Sequence, residues 1–189
     1  MALTLACGGG GGGDAASATN GGASNPQHVG VTVLAGILGA SSAGVSDGTG
    51  TAARFQTPCN AVTDASGYTY VTDMNNQAIR KISPQGAVST FAGQKLYSGY
   101  ADGQGASVRF SLPAGIALDP SGNLVVSEIG NYTIRRISPT GVTTTLAGSP
   151  GQPGTSDGQG SDAQFARPIS LAVDASGSIF VADSNSHTI

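Results

Sequence analysis

The stretch "SDGTGTAARFQTP" from Ser46 to Pro58 returns as "ADGQGASVRFSLP" from Ala101 and again as "SDGQGSDAQFARP" from Ser156, each copy 55 residues after the last. The register is strict: Asp47, Asp102 and Asp157 keep it, as do Phe55, Phe110 and Phe165, and Pro58, Pro113 and Pro168. A fixed period of this length means that one supersecondary unit is repeated. A single such unit cannot bury its own apolar face, so neighbouring copies must stack.

The residues between the copies say what the unit is. "AGIALDPSGNLVVSEIGNYTIRRISPTGVTTTLAG", from Ala114 to Gly148, parses into four short strands: Gly115 to Leu118, Leu124 to Ser127, Thr133 to Ser138 and Val142 to Ala147. Each join is a turn signal: Asp119 with Ser121 and Gly122, then Ile129 to Asn131, then Pro139 with Gly141. The same parse fits Asn60 to Gly93 and begins again at Ile169. With 30 glycines in 189 residues and no long helical pattern, the class is all-β. Four antiparallel strands repeated in register form the blade of a β-propeller.

The motifs "AVTDASGYTYVTDMNNQAIRKISPQG", "IALDPSGNLVVSEIGNYTIRRISPTG" and "LAVDASGSIFVADSNSHTI", with "VLAG", "TFAG" and "TLAG" beside them, resemble the NHL repeat family. The likeness covers residues 31–189. The expected organisation is an outer strand at 31–36, full blades at 58–93 and 113–148, and a partial blade at 168–189. Two complete blades and two part-blades are fewer than the four to eight of ordinary propellers, so an open arc belonging to a longer ring is expected. In such an arc "SDGTGTAARF" is the link between blades. Gly48 and Gly50 would supply positive φ, Asp47 would bond nearby backbone amides, and Phe55, Phe110 and Phe165 would wedge between sheets. Gly67, Gly122 and Gly177 close the first hairpin of each unit and are expected to be left-handed.

Residues 1–30 are a different text. "MALTLACGGGGGGDAASATNGGASNPQ" holds a short apolar start, one cysteine and a Gly/Ser/Ala/Asn tract that has too little apolar content for a core and behaves as a tether. Cys7, preceded by Leu5 and Ala6, resembles the lipid-modified cysteine of bacterial lipoproteins, with the signal peptide clipped to six residues. That likeness implies a lipid anchor and a place in the bacterial cell envelope or outside the cell. Cys59 is expected to be a small buried residue, and two cysteines make no disulfide framework.

Chemistry is sparser than architecture. Asp73, Glu128 and Asp183 end the second strand of each unit, with Asn75, Asn76, Asn131 and Asn185 close by, and together they are the candidate ligand-binding face. Related propeller lactonases and lyases gather such residues around the axis to hold a divalent ion, so calcium or another divalent cation is the alternative to no cofactor. The opposing reading has the carboxylates capping turns, with Asn76 and Asn131 left-handed and nothing bound. The Asp-Gly loops offer one carboxylate each, with Asp162 extra only in the third, which is poor ligation for a hard cation. "IRK" at Ile79 to Lys81 and "IRR" at Ile134 to Arg136 are read as ion pairs or solvated edges. A net charge of −3 and basic clusters without stacking aromatics exclude a nucleic-acid partner. No nucleophile elbow, phosphate loop or metal-spaced His/Cys set is present, so no catalytic residue is assigned. The expected function is a binding or scaffold module that holds a protein or carbohydrate ligand at its loop-bearing face. The alternative is a lactonase- or lyase-like enzyme.

Overall fold

The aspartate that opens each first hairpin shows how local chemistry builds the unit. In the computed structural model, which describes residues 32–39 and 43–189, Asp64 Oδ1 accepts the amides of Ser66 and Tyr68 at 2.9 Å. Asp119 does the same for Ser121 and Asn123, and Asp174 for Ser176 and Ser178. Gly67, Gly122 and Gly177 follow at φ of 83°, 80° and 89°, the left-handed region in which a side chain is strained.

These turns separate strands of two to six residues. The first sheet contains β1 (Gly48–Thr49), β2 (Pro58–Thr63), β3 (Thr69–Asp73), β4 (Ala78–Ile82) and β5 (Ala87–Ala92). The second contains β6 (Gly103–Gln104), β7 (Pro113–Leu118), β8 (Leu124–Glu128), β9 (Thr133–Ile137) and β10 (Val142–Ala147). The third holds β11 (Pro168–Val173) and β12 (Ile179–Asp183). Strand order is β1-β5-β4-β3-β2, then β6-β10-β9-β8-β7, then β11-β12, with antiparallel pairing between neighbours. The fold is a partial β-propeller.

Each inner strand starts at the repeated proline, and its register slips directly afterwards, between Pro58 and Ala61, Pro113 and Ile116, and Pro168 and Ser170. Proline has no amide to donate to the ladder, so a bulge there leaves no bond broken. The repeated phenylalanine fills the space between sheets. Phe110 is fully buried with Tyr70, Ile79 and Ala92 of the first sheet and Ile116, Val126 and Ile137 of the second. Phe165 joins Val125 and Ile134 to Leu171 and Val181 of the third. Phe55 packs on Val71, Ile82 and Val88, with Ala35 against it.

Several expectations are corrected. The Asp-Gly link is not only a loop: Gly48 and Thr49 pair with Val88 and Ala87, and Gly103 and Gln104 with Thr143 and Val142, so the first two links each add a fifth strand to the blade they enter. This covers an otherwise open outer edge. The outer strand placed at 31–36 is not a strand over its described residues, 32–36, which run as coil and bends and pair with none of the three sheets. Its last residue nonetheless holds the repeat's position: Gly36 N donates to Gly50 O at 3.0 Å, as Gly93 does to Gly105 and Gly148 to Gly160. The left-handed residues after the second strand are Gln77, Tyr132 and His187, at φ of 57°, 61° and 58°, and not Asn76 or Asn131. Cys59, on the bulged start of β2, is half-buried and not buried. Cys7 and the tether lie outside the described residues.

Candidate functional site

Arg80 and Arg135 organise the polar interior of the blades, and their surroundings are nearly identical. Each stands in the middle of the third strand, where alternation turns one basic side chain inward and the next outward. Arg80 Nη1 donates to Asp73 Oδ2 at 2.7 Å and Nη2 to Asp47 Oδ1 at 2.7 Å. Arg135 Nη1 donates to Glu128 Oε2 at 2.7 Å and Nη2 to Asp102 Oδ1 at 2.6 Å. Nη1 and Nη2 also reach carbonyls of the link, Arg54 and Ser46 for Arg80, Arg109 and Ala101 for Arg135. Phe55 lies 5.1 Å from the Arg80 guanidinium, and Phe110 and Tyr100 lie 5.4 and 5.0 Å from that of Arg135. Both arginines are fully buried, which overturns a solvated edge for these two. Their outward neighbours differ: Lys81 lies over Tyr68 at 4.1 Å, and Arg136 is half-exposed beside Asp119.

The sequence-derived site residues are divided by this arrangement. Asp73 Oδ1 accepts the amide of Gln56 at 2.7 Å, and Asn76 Nδ2 donates to Asp73 Oδ2 at 2.8 Å and to Gly44 O. Glu128 accepts from Ser111 N, Asn131 Nδ2 and Thr133 Oγ1 at 2.8 Å each. Asp183 accepts the amides of Ala166 and Arg167 at 2.7 and 2.6 Å. All three carboxylates, with Asn76 and Asn131, are buried inside their own blades. Asn75, bonded to Thr57 Oγ1, and Asn185 are exposed. The third member of the Asn76–Asn131 series is Ser186, one residue beyond Asn185.

Electrostatics follows the burial. Desolvation pushes the carboxyls of Asp73 and Glu128 above the ordinary range, against the pull of their arginines and amide donors. At Asp47 burial also works upward, but Arg80 and Lys95 beside it and the Thr90 hydroxyl bring the carboxyl below the usual range. Expectation put backbone amides on Asp47. Instead its main partners are side chains, with Lys95 Nζ at 3.4 Å from Oδ2.

Asp73 and Glu128 do not fit a divalent cation. A guanidinium already stands within bonding distance of Asp73 and Glu128, and a second positive charge there would be repelled. Among the described residues no three His, Cys, Asp or Glu side chains come together as a ligand set. What the arrangement does chemically is hold the inter-blade link onto the end of the second strand.

A different feature, absent from the sequence reading, faces outward. The inner strands β2, β7 and β11 lie side by side. A groove of about 470 Å³ runs along them, lined by Asn60, Val62, Ile116, Ser170, Leu171 and Phe180 among others. Its only cue in the sequence was the alternation of small and branched residues after each proline. No helix among the described residues is long and apolar enough to cross a membrane.

Comparison with known proteins agrees with this architecture. The NHL repeat family model matches residues 165–189. The protein SUPPRESSOR OF QUENCHING 1, chloroplastic, of Arabidopsis thaliana is 33% identical over 129 residues, 64% of this chain and 12% of that protein. An auxiliary nutrient binding protein from Bacteroides ovatus superposes with a TM-score of 0.64 at 21% identity, over 73% of this chain and 37% of its own. A Bacteroides thetaiotaomicron protein of unknown function does so with a TM-score of 0.58 at 26% identity, over 62% of this chain and 30% of its own. The chain thus spans about a third of the length of the solved structures it matches. Blades on a 55-residue period and propellers as structural neighbours make the fold a β-propeller, and its last unit, residues 165–189, is similar to the NHL repeat.

Proposed function

We propose that the chain is a binding module that holds a protein or carbohydrate ligand without transforming it. The observation that carries this reading is where the polar groups are spent. Asp73, Glu128 and Asp183, the repeated groups best suited to acid–base work, are committed to guanidinium or amide partners inside the blades. The groove along the inner strands presents apolar side chains with Asn60 and Ser170, a lining that suits recognition. The nutrient-binding name of the Bacteroides ovatus neighbour, at an identity that speaks for fold alone, is consistent with such a role.

The test is an array of oligosaccharides and peptides probed with the full chain, followed by calorimetry on each ligand and mass analysis of the ligand afterwards. Saturable binding, lost in Ser170→Arg with the ligand recovered intact, is the expected result. Turnover of the ligand, or binding indifferent to Ser170→Arg, overturns the reading.

Location belongs to the same proposal. Cys7 carries the lipid that tethers the module to a bacterial envelope through the Gly-rich segment, a single anchor reinforced by whatever the module binds. Intact-mass measurement of the membrane-fraction protein should find an acyl-bearing species that Cys7→Ser lacks. An unmodified Cys7 in that fraction excludes the anchor.

A further inference from the structure

Lys81 and Arg136 hold the same outward place on the third strands of the two complete blades, but their partners differ. Arg136 Nε lies 3.8 Å from Asp119 Oδ2, the carboxylate of the first hairpin turn. Lys81 has Asp64 at that place in its own repeat, yet no carboxylate among the described residues pairs with it. Its ammonium stands over three aromatic rings instead, 4.1 Å from the centroid of Tyr68, 5.4 Å from that of Tyr70 and 5.7 Å from that of Phe91. All three rings are within reach of a cation–π attraction. The Tyr70 hydroxyl donates to Asp64 Oδ2 at 3.4 Å, so the carboxylate adds negative potential behind that ring.

The rings do not belong to the repeat. At 55 residues on, Tyr68, Tyr70 and Phe91 become Asn123, Val125 and Leu146, and the second blade folds with no ring at any of the three places. Building a blade therefore does not require them. They are nonetheless fixed: Tyr70 is buried opposite Lys81 in the ladder, and its ring meets Phe91 edge to face at 5.1 Å. Tyr68 and Phe91, both half-buried, pack on the apolar core of the seam between the two five-stranded sheets. The result is a preformed aromatic corner with Tyr70 at its back and half-buried Lys81 filling its mouth.

We propose that Tyr68, Tyr70 and Phe91 are a receptor for a trimethylammonium group, and that the Lys81 ammonium is its built-in occupant, displaced when the ligand enters. None of these residues lines the groove along the inner strands, so the site is separate from that one. The exchange follows from hydration. A lysine ammonium is compact and strongly hydrated, and its flexible four-carbon stem returns it to water at once. A quaternary ammonium has no N–H to solvate, and its methyl groups spread the charge over a surface that three rings can touch together.

The probe is choline, titrated into the full chain and followed by tyrosine emission, which no tryptophan obscures in this sequence. Saturable binding is expected, tightened by about tenfold in Lys81→Thr, where the internal cation no longer competes. Tyr68→Leu should weaken it by about tenfold, and Tyr68→Phe, which keeps the ring, should leave it nearly unchanged. The neutral isostere of choline, with tert-butyl in place of trimethylammonium, should not bind at concentrations that saturate the site. Phosphatidylcholine vesicles identify the source of the group: flotation with them that is lost in Tyr68→Leu marks a lipid headgroup, and choline binding without flotation marks a free solute. No saturable choline binding by Lys81→Thr, equal binding of the isostere, or indifference to Tyr68→Leu in a protein that still unfolds cooperatively would each overturn the receptor. Equal choline affinity in wild type and Lys81→Thr would overturn the place given to Lys81.

Discussion

Gly122 and Gly93 both lie in the left-handed region, at φ of 80° and 100°, yet their surroundings make them different residues. A Cβ at Gly122 would meet nothing within 4 Å, so Gly122→Val costs backbone strain alone, on the order of 1 to 3 kcal/mol. At Gly93 a Cβ would come within 2.5 Å of Gln77 O and 3.0 Å of Ala78 Cα, so Gly93→Val adds a clash with backbone and should destabilise more. Urea midpoints of the two variants check the order. Asp119 provides a pH test. Burial raises its carboxyl, but the Asn123 side chain, the Asn123 and Ser121 amides and Arg136 together hold it below the usual range. The stabilisation is therefore complete above about pH 3.9 and is lost as pH falls through the lowered value. Asn keeps the turn-forming oxygen, so the melting-temperature gap between wild type and Asp119→Asn should be constant near neutrality and close in acid. A gap that persists undiminished down to about pH 2 contradicts the assignment.

Within one blade, the arginine cluster ties the link, the second strand and the third strand together, and the energetics of buried charge set its importance. Removing one member of a buried pair leaves the other unpaired, a loss of about 3 to 5 kcal/mol, whereas removing both is far milder. Arg135→Met should therefore unfold at markedly lower denaturant than wild type, and Arg135→Met with Glu128→Gln should regain much of the loss. Equal destabilisation in the single and double variants would show that the pair does not act as a unit. The cluster is itself imperfect, since Nε of Arg80 and of Arg135 is buried without a partner. That cost is one reason to expect the charges to contribute more to fixing the link than to net stability.

Across the whole arc, stability comes from the seams between sheets. Phe110→Ala empties the seam between the two complete blades and should cost about 3 to 5 kcal/mol. Phe180, half exposed on β12 of the two-stranded sheet, has no such seam among the described residues, and Phe180→Ser should shift stability by no more than about 0.5 kcal/mol. Binding of an apolar-surface dye is expected to separate the two positions further, falling for Phe180→Ser in the folded protein. Unchanged dye binding in that variant would mean that the apolar surface lies elsewhere.

The repeat period, the four main strands of each blade and the turn glycines were legible in the sequence because each rests on local chemistry: Asp-x-Ser-Gly closes a hairpin wherever it occurs, and a 55-residue period admits few units; the short fifth strand was not, since it forms only when the link meets the outer strand. So was the wedge role of Phe110 and Phe165, since a large apolar residue repeated in a polar link must be buried. The fate of the charges was not legible. Asp47 and Arg80 are 33 residues apart, and only the return of the link along β5 brings them to 2.7 Å, which turns a loop aspartate and a strand arginine into one buried cluster. The same tertiary pairing moved Asp73 and Glu128 from an expected ligand face to the blade interior, and the Ala166 and Arg167 amides of the third link bury Asp183. Strand alternation decides only which side of a sheet a residue takes. Whether that side meets solvent, a ligand or another carboxylate depends on what the next element lays across it.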